Sequence, residues 1–339
     1  MGNGFDYNLL FRGIRMGRSY KEDRGQTLTK GEHVDVLVRI PDEVTEIYRD
    51  NPLTTRQALM ETLGISEHFA RIYNWAIKSG KKIYHHDLKT KPESGQTKKA
   101  GLLPDIHFPY HDERALDIAI NHLVKIGIDT LVILGDGADL YGVSFWKKDP
   151  TRPIFSKEVE TTIPLIRSLS DAFPGVEKIW IEGNHELWLR NELWGTSSKL
   201  AGLKVLTVPN IYELEESGFN YVSNIDLIQN NMEPFGIAQT YLLHGHEVKC
   251  GWNTVNTART FHMKNPMNQI IGHFHRTNEH YQTKMNRKLE ATFVMGCLSN
   301  LHPDFQPVNQ WNHGFGVLEW DSDDYFSFSN KKIIDGRVL

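Results

Sequence analysis

Side chains able to do acid–base or metal chemistry gather where apolar runs of the chain end. After "AGLLP" come Asp105 and His107; after "TLVIL" come Gly135, Asp136 and Asp139; after "KIWIE" come Gly183, Asn184, His185 and Glu186. After "TYLL" come His244 and His246, and after "QII" come Gly272, His273 and His275. Carboxylate, imidazole and amide groups together form a hard-to-borderline donor set suited to manganese, iron, zinc or nickel. In an extended segment residues i and i+2 point the same way, so Asp105 with His107, and His273 with His275, can each face one cavity. Neighbouring glycines let the backbone turn sharply and approach closely. Unpaired carboxylates buried at strand ends are costly, which favours ligation over packing for Asp105 and Asp136, and with them Asn184 and His244. The only cysteines are Cys250 and Cys297, which excludes a cysteine-only zinc site and makes a disulfide framework implausible.

The elements that must position these groups alternate along the chain. "KAGLL", "TLVILG" and "KIWIEG" predict strands, the second a near-continuous apolar run of the kind found in sheets covered on both sides. Helices are expected over Glu113–Lys125, over about Lys157–Ala172 and over Leu187–Leu200, and "KVLTV" is expected to be a further strand. Later segments ("GIAQTYLLHG", "NQIIGHFH", "EHYQTK", "LEATFVMG", "GFGVLEWD" and "YFSFS") read as β. This order predicts an α/β fold, a two-sheet β-sandwich flanked by helices. Ligands of open α/β sheets bind at the carboxyl ends of strands, where the polar groups lie.

The N-terminal part reads differently. Residues 1–35 hold Arg12, Arg15, Arg18, Lys21 and Arg24 among glycines and polar residues, which suggests an extended or disordered arm. Over residues 36–80 apolar residues recur at three- and four-residue steps, and "TTRQALMETLGISEHFARIYNWAIKSG" resembles a helix-turn-helix module. A small packing or oligomerising bundle reads equally well. Residues 81–100 carry six lysines against Asp87 and Glu93 and predict a basic linker able to touch phosphates; the main domain is expected over 101–330. The net charge of −4 over 339 residues gives no global pull toward nucleic acid, so any basic surface is local. No stretch approaches the roughly 18 apolar residues of a membrane span, and a cytoplasmic location in a bacterial or phage-infected cell is expected. The opening "MGNGFD" has Asp6 where a myristoylation site needs Ser or Thr. The sequence carries no signal of oligomeric state.

The ordered set DxH, GDxxD, GNHE, H and GHxH, each piece following an apolar strand, resembles the calcineurin-like metallophosphoesterase superfamily across roughly residues 100–320. The resemblance implies two divalent metal ions, manganese first among the candidates. Asp105, His107, Asp136 and His275 would hold one, and Asp136, Asn184, His244 and His273 the other, with Asp136 bridging. His185 falls where the family keeps a histidine that meets the scissile phosphate and assists the leaving group, and Asp139 where a carboxylate orients neighbouring histidines. The implied chemistry is attack on phosphorus by a hydroxide that both metals share, without a covalent protein nucleophile. Pro104 stands where the family often has a small polar residue, and Leu140-Tyr141 replaces the Arg-Gly that follows GDxxD in its protein phosphatases. "QPVNQWNHGFGVLEWD" is similar to tails of bacteriophage phosphoesterases.

Several residues keep two readings. His246 lines the site or makes a structural hydrogen bond; His313 packs or touches substrate. His85, His86, His111 and His122 are expected on the surface, and Trp188, Trp194 and Trp252 are expected to pack or line a groove. Three functions follow: a phosphodiesterase acting on nucleic acid, a phosphatase or phosphodiesterase acting on a small nucleotide or phosphomonoester, and a DNA-binding or assembly protein with a non-catalytic esterase scaffold. Retention of His185 argues against the third.

Overall fold

A five-residue apolar run without polar alternation needs cover on both faces, and β4 (Thr130–Leu134) has it, with all five residues buried. Leu131 and Ile133 join one core cluster while Val132 and Leu134 join another. The computed structural model describes residues 37–38, 58, 61–62, 83–84, 96–229, 232–251 and 255–339.

β3 (Lys98–Leu103), β4, β5 (Glu177–Ile181) and β6 (Phe219–Val222) run parallel, with Leu102 opposite Val132 and Val132 opposite Ile179. β12 (His313–Trp320), β13 (Phe326–Ile334) and β14 (Arg337–Val338) extend the sheet antiparallel from β3, giving the order β14-β13-β12-β3-β4-β5-β6. A second sheet has the order β10-β11-β9-β8-β7, from β7 (Gly236–Ile237), β8 (Thr240–Leu243), β9 (Gln269–Ile271), β10 (Asn278–Thr283) and β11 (Leu289–Val294).

Between the sheets lie Leu102, Val132, Leu134 and Ile179 from the first and Leu242, Ile270, Ala291 and Phe293 from the second. On the outer face of the first sheet, α1 (Glu113–Ile126) and α2 (Phe155–Asp171) bring Leu116, Leu123, Ile166 and Leu169 against Leu131, Ile133 and Trp180. Asp112 starts α1 by accepting a hydrogen bond from the Ala115 N–H at 2.8 Å. On the second sheet, α4 (Thr257–Lys264) places Ala258 and Phe261 against Leu243, Ile271 and Val294. The result is the expected helix–sheet–sheet–helix layering. No helix among the described residues is long and apolar enough to cross a membrane.

Two boundaries differ from expectation. "KVLTV" is not a strand but a 3-10 turn (Lys204–Leu206) followed by a short helix (Val208–Ile211), because Pro209 in its first turn has a fixed φ suited to a helix start. The sheet position passes to β6. The third helix, α3 (Asn184–Thr196), begins three residues earlier than expected, so that Asn184 and His185 lie in its first turn.

Residues Met1–Lys91 with Ile225–Glu233 form one compact unit and the remainder another. In the former, β1 (Leu37–Val38) pairs antiparallel with β2 (Ile83–Tyr84), and Ala58, Glu61 and Thr62 are helical. The rest of the expected helix-turn-helix module, the 1–35 arm, most of the linker, His85, His86 and Trp252 lie outside the described residues.

Candidate metal centre

The ends of β3, β4, β5, β8 and β9 bring together all seven side chains expected to bind metal. Asp105, His107 and His275 offer donor atoms within 4.8 Å of one another, and so do Asp136, His244 and His273. Asn184 joins the second group, its Oδ1 lying 3.1 Å from His244 Nε2. Asp139 and His185 share a third cluster with His107.

The expected cause of this convergence needs correcting. β3 ends at Leu103 and β9 at Ile271, so neither Asp105/His107 nor His273/His275 lies on a strand, and period-two alternation does not aim them. Instead Asp105, His107, Asp136, His273 and His275 all have left-handed backbones, with φ between 47° and 67°. Such conformations are costly for residues with a Cβ and persist where surrounding structure imposes them. Backbone bonds impose them here: Asp105 N–H to Gly135 O (3.2 Å), His107 N–H to Asp136 O (2.9 Å) and Phe108 N–H to Gly137 O (2.9 Å) zip two loops together. The Asp105 carboxylate accepts the His273 N–H, and Asp136 Oδ1 accepts the His185 N–H at 2.9 Å.

Glu186, quoted in the motif but given no role from sequence, is the keystone between two loops. Its Oε2 accepts from the N–H groups of Asp136 (3.1 Å) and Gly183 (2.9 Å), and its Oε1 from Gly137 (2.9 Å), Ala138 (3.3 Å) and the Trp180 indole (3.1 Å). Its position, N3 of α3, is where a glutamate reaches back to a helix start, a signal that could have flagged it. Two glycines are required. A Cβ on Gly183 would lie 2.2 Å from Asp136 Oδ1, and one on Gly135, whose φ is +80°, would lie 2.3 Å from His244 Nδ1.

The proton inventory tests whether these residues suit a cation. His244 Nδ1 lies 2.9 Å from the Leu134 carbonyl, which only accepts, so Nδ1 carries hydrogen. Its Nε2 then faces two oxygens, Asp136 Oδ2 at 3.2 Å and Asn184 Oδ1 at 3.1 Å. Three lone-pair atoms converge, and a proton or a metal cation between them satisfies all three. Burial alone would lower the His244 pKa, but the Asp136 carboxylate outweighs it and lifts it to about 10; a cation would take that proton's place. His107 repeats the pattern, with Nδ1 bonded to Asp139 Oδ1 at 2.8 Å and Nε2 3.3 Å from His275 Nε2. Burial pushes His273 and His275 down, toward the neutral imidazole that metals need. The donor set fits divalent cations.

His185 stands apart from the ligands. Its Nδ1 donates to the Asp139 carbonyl at 2.6 Å and its Nε2 lies 3.7 Å from Asp136 Oδ2. Burial opposes its charge, but Asp136 and Asp139 lift its pKa to about 9. Burial raises the Asp139 carboxyl, but His107 and His185 outweigh it and hold it below its ordinary range.

His246 packs 5.4 Å from His244 between ring centroids and bonds Asn224 Nδ2 at 3.0 Å, so it both borders the site and makes a structural contact. His313 Nε2 donates to the Ser299 carbonyl at 3.0 Å, a packing role. His111 and His122 are half-buried rather than on the surface, because their rings lie edge-on against Phe108 and Phe315. Trp188 stacks on His185, whereas Trp194 is exposed over Arg190.

A family model described as Calcineurin-like phosphoesterase matches residues 99–296, more than half of the chain. No curated protein matches. Among solved structures, a Vps29 single mutant from Entamoeba histolytica is similar at 14% identity and a TM-score of 0.36, covering 71% of this chain and 96% of that one. Wild-type Vps29 from the same organism, complexed with zinc, is similar at 12% identity, a TM-score of 0.36 and the same coverage. Vacuolar protein sorting 29 from Cryptosporidium parvum reaches 12% identity and a TM-score of 0.38 over 72% of this chain and 95% of that one.

Proposed function

The chain belongs to the calcineurin-like phosphoesterase family, and from that premise we propose that it is a two-metal phosphodiesterase cleaving nucleic acid. As a family member it is a metal-dependent hydrolase of ester bonds. The observation that carries the two-cation reading is the presence of two separate donor groups, Asp105, His107 and His275 in one and Asp136, His244 and His273 in the other, with Asn184 beside the latter. Asp136 would bridge them, and manganese is the first candidate.

When bound, the cations would lower the pKa of a water and neutralise phosphoryl oxygens. The chain's own residues do the rest. Asp139 holds His107 through Nδ1, so that its Nε2 lone pair faces the centre. His185, with its Nδ1 hydrogen committed to the Asp139 carbonyl, offers Nε2 as the atom that hands a proton to the departing oxygen. Support for nucleic acid as substrate comes from the six lysines of residues 81–100 and the helix-turn-helix-like pattern that precedes them.

The test is incubation with manganese and labelled single- and double-stranded DNA, beside a small phosphomonoester. Cleavage of DNA that a chelator stops is the expected result. Intact DNA with rapid hydrolysis of the monoester would transfer the reading to a small-molecule phosphatase. His185→Ala should reduce turnover roughly a hundredfold or more while metal content by elemental analysis stays unchanged.

A further inference from the structure

The narrower substrate class is legible in a row of rings that crosses the centre. Trp188 lies on His185 with centroids 3.7 Å apart and planes at 32°. Its edge meets Phe145 at 5.9 Å, and Phe145 lies on Trp146 at 4.3 Å. From His185 the row continues to His107 at 4.4 Å and to His275 at 5.2 Å. There Trp311 takes over at 4.2 Å, followed by Phe305 at 6.3 Å. The middle is buried and the ends are in water: Phe145 is 72% exposed, Trp146 63% and Phe305 76%.

Large rings left in solvent at the two ends of such a row are an unfilled binding surface. They are flat rings that continue into the catalytic histidine, which suits stacking of planar partners better than capture of aliphatic side chains. Cations accompany them. Lys147 follows Trp146 directly, Lys148 bonds back through Nζ to Ser144 and the Trp146 carbonyl, and the Arg152 guanidinium lies 4.7 Å over Tyr141. Arg152 also pairs with Asp304 at 3.5 Å, joining the loop of Phe145 and Trp146 to the loop of Phe305. Alternating aromatic and basic groups is the chemistry that holds unpaired nucleobases beside their phosphates. A mononucleotide would cover one end only, whereas a strand crossing the centre covers both.

Resting on the nucleic-acid reading above, we propose that the substrate is single-stranded nucleic acid whose unpaired bases on the two sides of the scissile phosphate stack on Phe145 and Trp146 and on Phe305. Bases in a duplex are already stacked and paired, so a duplex cannot fill this row.

The test compares binding, by fluorescence anisotropy, of a labelled oligothymidine about eight nucleotides long, an abasic strand of the same length and a matching duplex, all with cleavage-resistant phosphorothioate linkages. The metal-loaded full chain is used. The wild type should prefer the base-bearing strand over both others by roughly tenfold or more. In Phe145→Ala/Trp146→Ala and in Phe305→Ala that preference should fall by roughly threefold to tenfold, and Phe145→Tyr and Phe305→Tyr should retain it. A preference that survives the alanine substitutions, or wild type that holds the abasic strand or duplex equally well, overturns this inference and leaves the nucleic-acid reading standing. Failure to bind any of the three overturns both.

Discussion

Asp139 and His107 are joined by a 2.8 Å hydrogen bond between Oδ1 and Nδ1. The bond decides which imidazole nitrogen is bare, and therefore whether His107 can ligate at all. Asp139→Ala leaves the ring free to rotate and to exchange tautomers. Metal affinity should fall by roughly 10- to 100-fold, measured by competition with a chelating dye. An unchanged affinity would mean that packing alone orients the ring.

Glu186→Gln keeps the shape of the side chain but sets an amide NH2 against backbone N–H groups that now meet a carboxylate oxygen. At least two buried donors lose their acceptor, at a cost of about 1–3 kcal/mol each. Urea unfolding should show the loss, and metal content should fall with it because the Asp136 loop is no longer held.

Gly183→Ala places a methyl 2.2 Å from Asp136 Oδ1. Asp136 must move, and with it the carboxylate proposed to bridge the two donor groups. A 1 Å displacement at a reacting centre costs about 100-fold, so turnover should fall at least that far. Circular dichroism should stay that of a folded chain. Full activity in this variant would show that Asp136 is not the bridge.

Glu158 gives a pH dependence from a group outside the donor set. It is 1% exposed on α2, accepting the N–H groups of Tyr141 and Gly142 at 3.0 Å each, and burial pushes its pKa up to about 7. Below its unfolded value near 4.5 both states are protonated, and its full contribution to stability is present. As pH rises through about 7 the folded state must bury a charge, and that contribution is lost, by roughly 3 kcal/mol in all. Glu158→Gln should flatten this decline between pH 5 and 8 in denaturant titrations; an unchanged slope would place its origin in other groups.

How much of this was legible beforehand depends on what each residue's partners are. Asp105, Asp136, Asn184 and His244 were readable because polar groups at the ends of apolar strands have few other uses. Their aim was not: alternation along a strand accounts for neither DxH nor HxH, since both lie beyond strand ends in left-handed turns. Glu186 went unassigned because, beyond the helix-start contact to Gly183 that its N3 position signals, its partners are the N–H groups of Asp136, Gly137 and Ala138 and the Trp180 indole, all outside its own helix and not readable from its place in the chain. Phe145 and Trp146 belong to no periodic pattern, so their exposure beside the centre becomes visible only in three dimensions. "KVLTV" misled because its β-branched and apolar residues outweighed the proline that follows.

Five strained φ angles at the donor residues also limit how the centre can be rebuilt. Asn, Asp, His and Gly tolerate such a conformation best, and β-branched or bulky residues worst, by about 1–2 kcal/mol each. An engineer retuning this protein for another ion therefore works with a very short palette at Asp105, His107, Asp136, His273 and His275. Glutamate or cysteine, whatever its appeal to the metal, would first have to be accepted by the turn.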